Sequence, residues 1–332
     1  MPTSSLPAIG CLGAGRMGRG IAVAFAYAGH RVTLVDVKPR SADQFAQLEH
    51  EALDEVRKTL ASLARFSLLD DDDAATIVAR VTITPAQDMA AALADTTILF
   101  EGVPEVVELK REVLAATSKC VGADTIIAST TSTILVDDLS GAVLHPQRFL
   151  NVHWLNPAYL IPLVEISAGK LTDPAVTARI KAMLEGIGKV PVVCAATPGF
   201  IVPRIQALAM NEAARMVEEG VATPEDIDKA IRYGFGFRYA IMGLLEFIDW
   251  GGGDILYYAS RYLEGALHSD RYAAPEVISR NMREGRIGMR TGAGFLDYSG
   301  RDVDAWREQR LSELVDLLKH FGLARPPVRD RD

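Results

Sequence analysis

The sequence predicts an α/β fold, a Rossmann-like doubly wound and mainly parallel sheet followed by an all-α C-terminal domain. Three observations predict it. Short β-branched runs alternate with longer helical stretches over the first two-thirds of the chain. A Gly-x-Gly-x-x-Gly run directly follows the first strand candidate. Beyond Thr197-Pro198-Gly199 the pattern becomes wholly helical.

The strand candidates are Ala8–Leu12, Arg31–Val35, Val81–Thr84, Thr97–Phe100 and Thr125–Ala128, separated by amphipathic segments such as Arg16–Ala28 and Glu105–Cys120. Between the second and third strands lies a helical insertion, 41–80, whose Asp70–Asp73 run reads as a solvated turn between two helices. Two further strands, Phe149–Trp154 and Pro162–Ser167, precede a helix over Pro174–Gly188. The break at Thr197 divides a dinucleotide-binding domain, 1–197, from a helical domain, 198–332. In the latter, helices are expected at Phe200–Glu219, Pro224–Tyr233, Ile255–Ala266, Pro275–Glu284 and Val303–Phe321. Thr223-Pro-Glu-Asp supplies an N-cap, a proline at N1 and first-turn acids. The aromatic and glycine-rich segment Phe247–Asp254 reads as a flexible turn beside an aromatic wall.

The 332 residues include 35 Lys and Arg against 43 Asp and Glu, a net charge of −8, so no basic surplus points to nucleic acid or an anionic membrane. No apolar run approaches the roughly 18 residues of a membrane span. The segment Met1–Pro7 lacks the basic start of a signal peptide. The three cysteines, Cys11, Cys120 and Cys194, fit no metal-ligand spacing and read as buried reduced thiols of a cytoplasmic protein without a metal.

Gly13-Ala14-Gly15-Arg16-Met17-Gly18 sits where a strand turns into a helix. The first glycine permits the tight turn, the second lets backbone approach a pyrophosphate, and the third lets helix pack on strand. The helix N-terminus then offers unpaired N–H groups to the phosphates. Asp36, 18 residues after Gly18 at the end of the second strand, would accept hydrogen bonds from the ribose of NAD and repel the 2′-phosphate of NADP. Lys38 is a single base that softens this discrimination.

Ser132 follows the fifth strand at the carboxyl edge, where such sheets hold their ligands. His153 comes 21 residues later, between two strands, and Glu165 lies 12 beyond it inside an apolar strand. Oxidising an alcohol requires a proton acceptor on its oxygen while hydride leaves the carbon, and imidazole suits that role. A carboxylate on its far nitrogen would fix the tautomer, and Ser132 would hold the same oxygen.

Glu101-Gly-Val-Pro-Glu105 with Lys110, Ala128–Thr133, His153-x-x-Asn156-Pro157, Pro162–Glu165, Pro198-Gly-Phe-Ile-Val202-x-Arg204 and Gly285-Arg-Ile-Gly288-x-Arg290-Thr-Gly-x-Gly294-Phe295 complete the pattern. With these motifs the chain resembles the L-3-hydroxyacyl-CoA dehydrogenase family over essentially its whole length. The resemblance implies a catalytic His153 with Glu165 as partner and Ser132 as substrate-oxygen ligand. It also implies NAD contacts from Glu105, Lys110, Ser132, Asn156 and Arg290, with Arg290 standing where lysine is usual, and a homodimer through the C-terminal domain. Four departures qualify it. Pro203 replaces the family's asparagine, Thr130 replaces another, and the CoA-contacting basic stretch reduces to Arg57 and Lys58 near Thr59. The runs Asn156–Glu165 and Gly236-Phe-Arg238-Tyr239-Ala look closer to the gulonate, carnitine and lambda-crystallin branch. The expected reaction is reversible NAD-dependent oxidation of a short 3-hydroxyacyl-CoA. The alternatives are dehydrogenation of a small free hydroxy acid, with Arg238 forking its carboxylate, and a catalytically silent crystallin-like protein.

Overall fold

A computed structural model describes residues 6–327 of the chain. Eight strands form one sheet: β1 (Ala8–Leu12), β2 (Val32–Asp36), β3 (Val81–Pro85), β4 (Thr96–Glu101), β5 (Ile126–Ser129), β6 (Phe149–Trp154), β7 (Leu163–Ala168) and β8 (Val190–Cys194). Their order is β3-β2-β1-β4-β5-β6-β7-β8. All neighbouring pairs are parallel except β6 with β7. The inner strands are apolar along their length, and both of their faces are buried. Ile9, Val32, Ile98 and Phe100 pack on one face, while Leu12, Val35 and Leu99 pack on the other. The helix Arg16–Tyr27 adds Phe25 to the first face, where its ring lies 5.4 Å from Phe100 and 6.0 Å from Trp154.

Two local features differ from the sequence expectation. The Asp70–Asp73 run is not wholly a turn, because Asp70 is the N-cap residue of a helix, Asp71–Val78. Acids at a helix start favour this outcome through the macrodipole. The preceding helix, Ala42–Arg65, opens with a capping box between Ser41 and Gln44. The structure also adds β8. Pro191 inside that run argues against a strand, yet β8 lies at the sheet edge, where a missing N–H is tolerated.

The chain divides into compact units Met1–Met210 and Asn211–Asp332, thirteen residues beyond the break expected at Thr197. The backbone N–H groups of Ile201 and Val202 donate to Glu165 of β7, which binds this stretch to the sheet. In the second unit, Thr223 caps Pro224–Ala230 as expected, and a π-helical turn, Ile231–Gly236, follows.

The segment Phe247–Asp254 is not a flexible turn. It ends one helix, Leu244–Gly251, and opens another, Gly253–Leu267. Asp249 is buried and accepts hydrogen bonds from the N–H groups of Phe295 (2.9 Å) and Leu296 (2.8 Å) and from the Tyr298 hydroxyl (3.2 Å). A Cβ on Gly294 would stand 2.0 Å from the Asp249 carboxylate, so the chain passes here only as glycine. The late glycine-rich segment is thus folded around one acid. Replacing Asp249 with alanine leaves two part-buried N–H donors without their acceptor, and the loss should be about 2 kcal/mol in urea-unfolding measurements. A change below about 1 kcal/mol, ordinary for a surface site, would contradict this anchoring role.

Candidate active site

The order of the sheet reverses at β1, which has β2 on one side and β4 on the other. Such a switch point opens a crevice at the carboxyl ends of the strands. Gly13 (φ +93°) leaves β1 there, and a Cβ on it would lie 3.0 Å from the Gly102 carbonyl at the end of β4. Gly18 must also lack a side chain, since its Cβ would meet the Gly13 carbonyl oxygen at 2.1 Å. Gly15 is different, for a Cβ there would touch nothing within 4 Å. No side chain caps the helix that starts after it. Open space over uncapped first-turn N–H groups fits the pyrophosphate of a dinucleotide. Met17 packs partly into the core, while exposed Arg16 lines a pocket of about 270 Å³ together with Arg19, Thr59, Asn156 and Tyr159.

Asp36 is buried at the end of β2 and accepts the Lys38 backbone N–H at 3.4 Å. Its other oxygen accepts Nε of Arg40. Lys38 is therefore not the one base to be reckoned with at this corner. Arg40, four residues on, was not singled out from the sequence, because an i to i+4 contact across a loop containing a proline leaves no periodic signal.

At the end of β4, Glu101 is fully buried and accepts from Lys110 Nζ (2.8 and 3.1 Å), the Val103 N–H (2.8 Å) and the Ser129 hydroxyl (2.5 Å). Lys110 also donates to the Val103 carbonyl at 3.1 Å and stands 3.4 Å from Glu105. Its ammonium is thus surrounded by protein acceptors, beneath Glu105. Lys110 faces Oε2 of Glu105, while Oε1 accepts the N–H groups of Ser132 (3.0 Å) and Thr133 (3.2 Å) and the hydroxyls of Thr131 and Thr133. Burial works against the charged form of Glu105, but the Thr131 hydroxyl, Lys110 and the Thr133 groups hold its carboxyl below the usual range. Glu105 therefore clamps the loop that carries exposed Ser132.

His153 lies within β6, the strand expected at Phe149–Trp154, and its register partner across the antiparallel pair is Glu165 of β7. Cross-strand partners share a face, which explains why a spacing of 12 brings them together. Both are buried, with Nδ1 of His153 at 2.8 Å from Oε2 of Glu165. Oε1 accepts the N–H groups of Ile201 (2.9 Å) and Val202 (2.8 Å). Burial opposes ionisation of Glu165, while His153 and the two N–H donors hold its pKa below the ordinary value. The carboxylate's stabilising contribution is fully present above the ordinary glutamate pKa and is lost as pH falls through the lower folded value. An ionised carboxylate only accepts, so Nδ1 carries a proton, and in the neutral ring Nε2 then bears the lone pair. Nε2 has no hydrogen-bond partner among the described residues.

Phe200 was also not foreseen. It is a buried non-glycine residue at φ +44°, and its ring lies 5.5 Å from the imidazole at an angle of 33°. Ser129 of β5 and Asn151 of β6 are register partners in adjacent parallel strands, so the loop bearing Ser132, three residues beyond β5, and His153, near the end of β6, lie towards the same carboxyl edge. Asn156, exposed, follows β6 by two residues.

Two expected site residues fall in the second unit. Arg238 stacks on Phe247 at 4.5 Å and donates Nε to the Gly234 carbonyl at 3.1 Å. Arg290 forms an ion pair with Asp254 at 2.5 Å. No cluster of potential metal ligands occurs among the described residues.

Comparison with known proteins gives these sites a family. The NAD-binding domain of 3-hydroxyacyl-CoA dehydrogenase matches residues 8–197, and the C-terminal domain of the same family matches 199–298. The chain is 31% identical to a 5-formyl-3-hydroxy-2-methylpyridine 4-carboxylate 5-dehydrogenase of Mesorhizobium japonicum, over 92% of this chain and 96% of the relative. It is 32% identical to a 3-hydroxybutyryl-CoA dehydrogenase of Bradyrhizobium diazoefficiens, over 88% of this chain and 95% of the relative. The solved 3-hydroxyacyl-CoA dehydrogenase of Archaeoglobus fulgidus superposes with a TM-score of 0.75 at 31% identity, covering 96% of this chain and all of that one. The chain belongs to the 3-hydroxyacyl-CoA dehydrogenase family and is an NAD-dependent oxidoreductase acting on CH–OH groups.

Proposed function

We propose that the protein reversibly oxidises the 3-hydroxyl of a short 3-hydroxyacyl-CoA to the 3-oxo compound, with His153 as general base. The observation that carries this reading is the buried His153–Glu165 pair, with Nε2 unpartnered, on the sheet edge that also bears Ser132. Nε2 accepts the hydroxyl proton as the alcohol becomes a carbonyl. Glu165 stabilises the imidazolium so formed and keeps the ring in the productive tautomer. The Ser132 hydroxyl holds the substrate oxygen, and Glu105, supported by Lys110, keeps that loop in place. NAD, when bound, supplies the acceptor for the hydride leaving the carbon. The glycines 13, 15 and 18, Arg16, Met17, Asp36 and Asn156 form its binding edge.

The second reading, a small free hydroxy acid as substrate, is favoured by Pro203 and by the pyridine-carboxylate dehydrogenase among the relatives. Rates of NAD reduction with 3-hydroxybutyryl-CoA and with free 3-hydroxybutyrate separate the two. The CoA thioester should be the better substrate by kcat/KM, and preference for the free acid would establish the second reading. Conversion of neither, with NAD still bound, would support the silent crystallin-like reading.

We further infer a cytoplasmic homodimer with a place in fatty-acid metabolism. The helix Gly253–Leu267 exposes Ile255, Tyr258 and Tyr262 at 62%, 64% and 74%, an apolar stripe at i, i+3 and i+7 that a second copy would cover. The free thiols agree with a reducing compartment, although only Cys11 is buried as expected, while Cys120, at a helix end, and Cys194, on the edge strand β8, are partly exposed.

Replacing His153 with alanine should lower kcat by about 10²–10⁴; near-normal turnover would remove the base from the mechanism. Glu165→Gln should cost about as much. Both oxygens of Glu165 face donors, so an amide NH₂ must meet one of them. Turned towards His153, that NH₂ makes Nδ1 the acceptor and puts the proton on Nε2. Intact kcat in the Glu165→Gln variant would disprove the tautomer argument. Light scattering of Tyr258→Asp with Tyr262→Asp should report a monomer where the parent is a dimer, and an unchanged mass would place the interface elsewhere.

A further inference from the structure

The Asp36 corner carries more positive charge than an NAD-selective site needs. Asp36 alone would reject a 2′-phosphate, because two anions would then meet without a counter-ion. Here Arg40 Nε already donates to one Asp36 oxygen. The rest of that guanidinium makes no hydrogen bond among the described residues, so most of its five donors remain open. Lys38 adds a second cation with no ion-pair partner among the described residues. Two bases against one acid leave the corner with a formal charge of +1.

Arg40 is also held where it is. Pro39 restricts the backbone before it, and Ser41 after it closes the capping box with Gln44 at the start of Ala42–Arg65. The Arg40 side chain is 28% exposed and that of Asp36 is 7%, so the pair lies at a partly dry surface, where charge-assisted hydrogen bonds are strong. A carboxylate that accepts from the ribose diol and a guanidinium that forks a phosphate stand side by side.

We propose that Arg40 is a specificity-determining residue that lets the Asp36 corner accept 2′-phosphorylated nicotinamide dinucleotide as well as NAD. The inference rests on the assignment of Gly13–Gly18 and Asp36 as the dinucleotide site. With the plain ribose, Asp36 accepts its hydroxyls and Arg40 balances the charge. With the 2′-phosphate, Arg40 turns its terminal nitrogens to the phosphate oxygens, assisted by Lys38, while Asp36 stays neutralised through Nε.

The test is equilibrium titration of the protein without cofactor, followed by tryptophan fluorescence or calorimetry, with NADH and NADPH and with AMP and adenosine 2′,5′-bisphosphate. The parent should bind both members of each pair with affinities within about 100-fold, the span of one or two charge-assisted hydrogen bonds. Arg40→Ala should weaken the 2′-phosphorylated member about 10–100-fold while changing the other far less. Asp36→Ser should reverse the preference, and initial rates with NAD and NADP should follow the binding ratios. Equal loss of both ligands in Arg40→Ala would overturn the proposal and make Arg40 a structural support of Asp36. Binding of NADH and AMP without any binding of their 2′-phosphorylated counterparts would overturn it too. Failure to bind NADH or AMP at all would instead overturn the dinucleotide-site assignment on which it rests.

Discussion

The Glu165 carboxylate joins two parts of the first unit, the strand pair β6–β7 and the stretch that opens the helix Val202–Glu218. One oxygen faces the imidazole of the neighbouring strand, and the other takes the N–H groups of Ile201 and Val202. A carboxylate with 1% exposure that lost these partners would carry a desolvation cost of several kcal/mol. Satisfying that charge is therefore what orients His153, and what draws residues 198–204 back onto the sheet. The position of Phe200 over the imidazole follows, since it is flanked by Gly199 and the anchored Ile201. Its left-handed backbone is a strained conformation that persists because both sides are fixed.

A similar logic operates one strand pair away. Lys110 and Glu101 are buried together, which is costly unless every lone pair and proton is used. Here Val103, Ser129 and both Glu101 oxygens complete the set. The motif Glu101-Gly-Val-Pro-Glu105 with Lys110 is then a rigid bracket, and its outer carboxylate, Glu105, determines where the Ser132 loop lies. The pattern thus includes one lysine that is buried and held by Glu101 and the Val103 carbonyl.

Much of the fold was legible because strand burial on both faces writes itself as continuous apolar runs, and β1, β6 and the switch-point glycines stand almost where the sequence puts them. His153 and Glu165 were legible as residue types at a hairpin spacing. The partners of Glu165 were not, since two are backbone N–H groups, which every residue but proline possesses. Arg40 was missed for a related reason: its contact depends on the path of a loop. Asp249 is the clearest case of a distant cause. Its partners lie 46 to 49 residues away, so the glycine-rich segment near the end can be matched as a motif without revealing that it wraps an acid.

Pro203 brings these constraints together. The first N–H groups of a helix have no partner within it. At the helix Val202–Glu218, those of Ile201 and Val202 go to Glu165, and a proline as the next residue has no N–H to leave unpaired. The backbone geometry that holds the base thus survives the substitution without loss. What disappears is a side-chain hydrogen-bonding group where the family resemblance implies asparagine. In the proposed mechanism, proton abstraction by His153 depends on Glu165 and is untouched by that loss, whereas orientation of the substrate falls more heavily on Ser132 and its Glu105 clamp. On that mechanism the proton-transfer pair and the substrate-orienting groups are different residues, and the change at Pro203 touches only the second set.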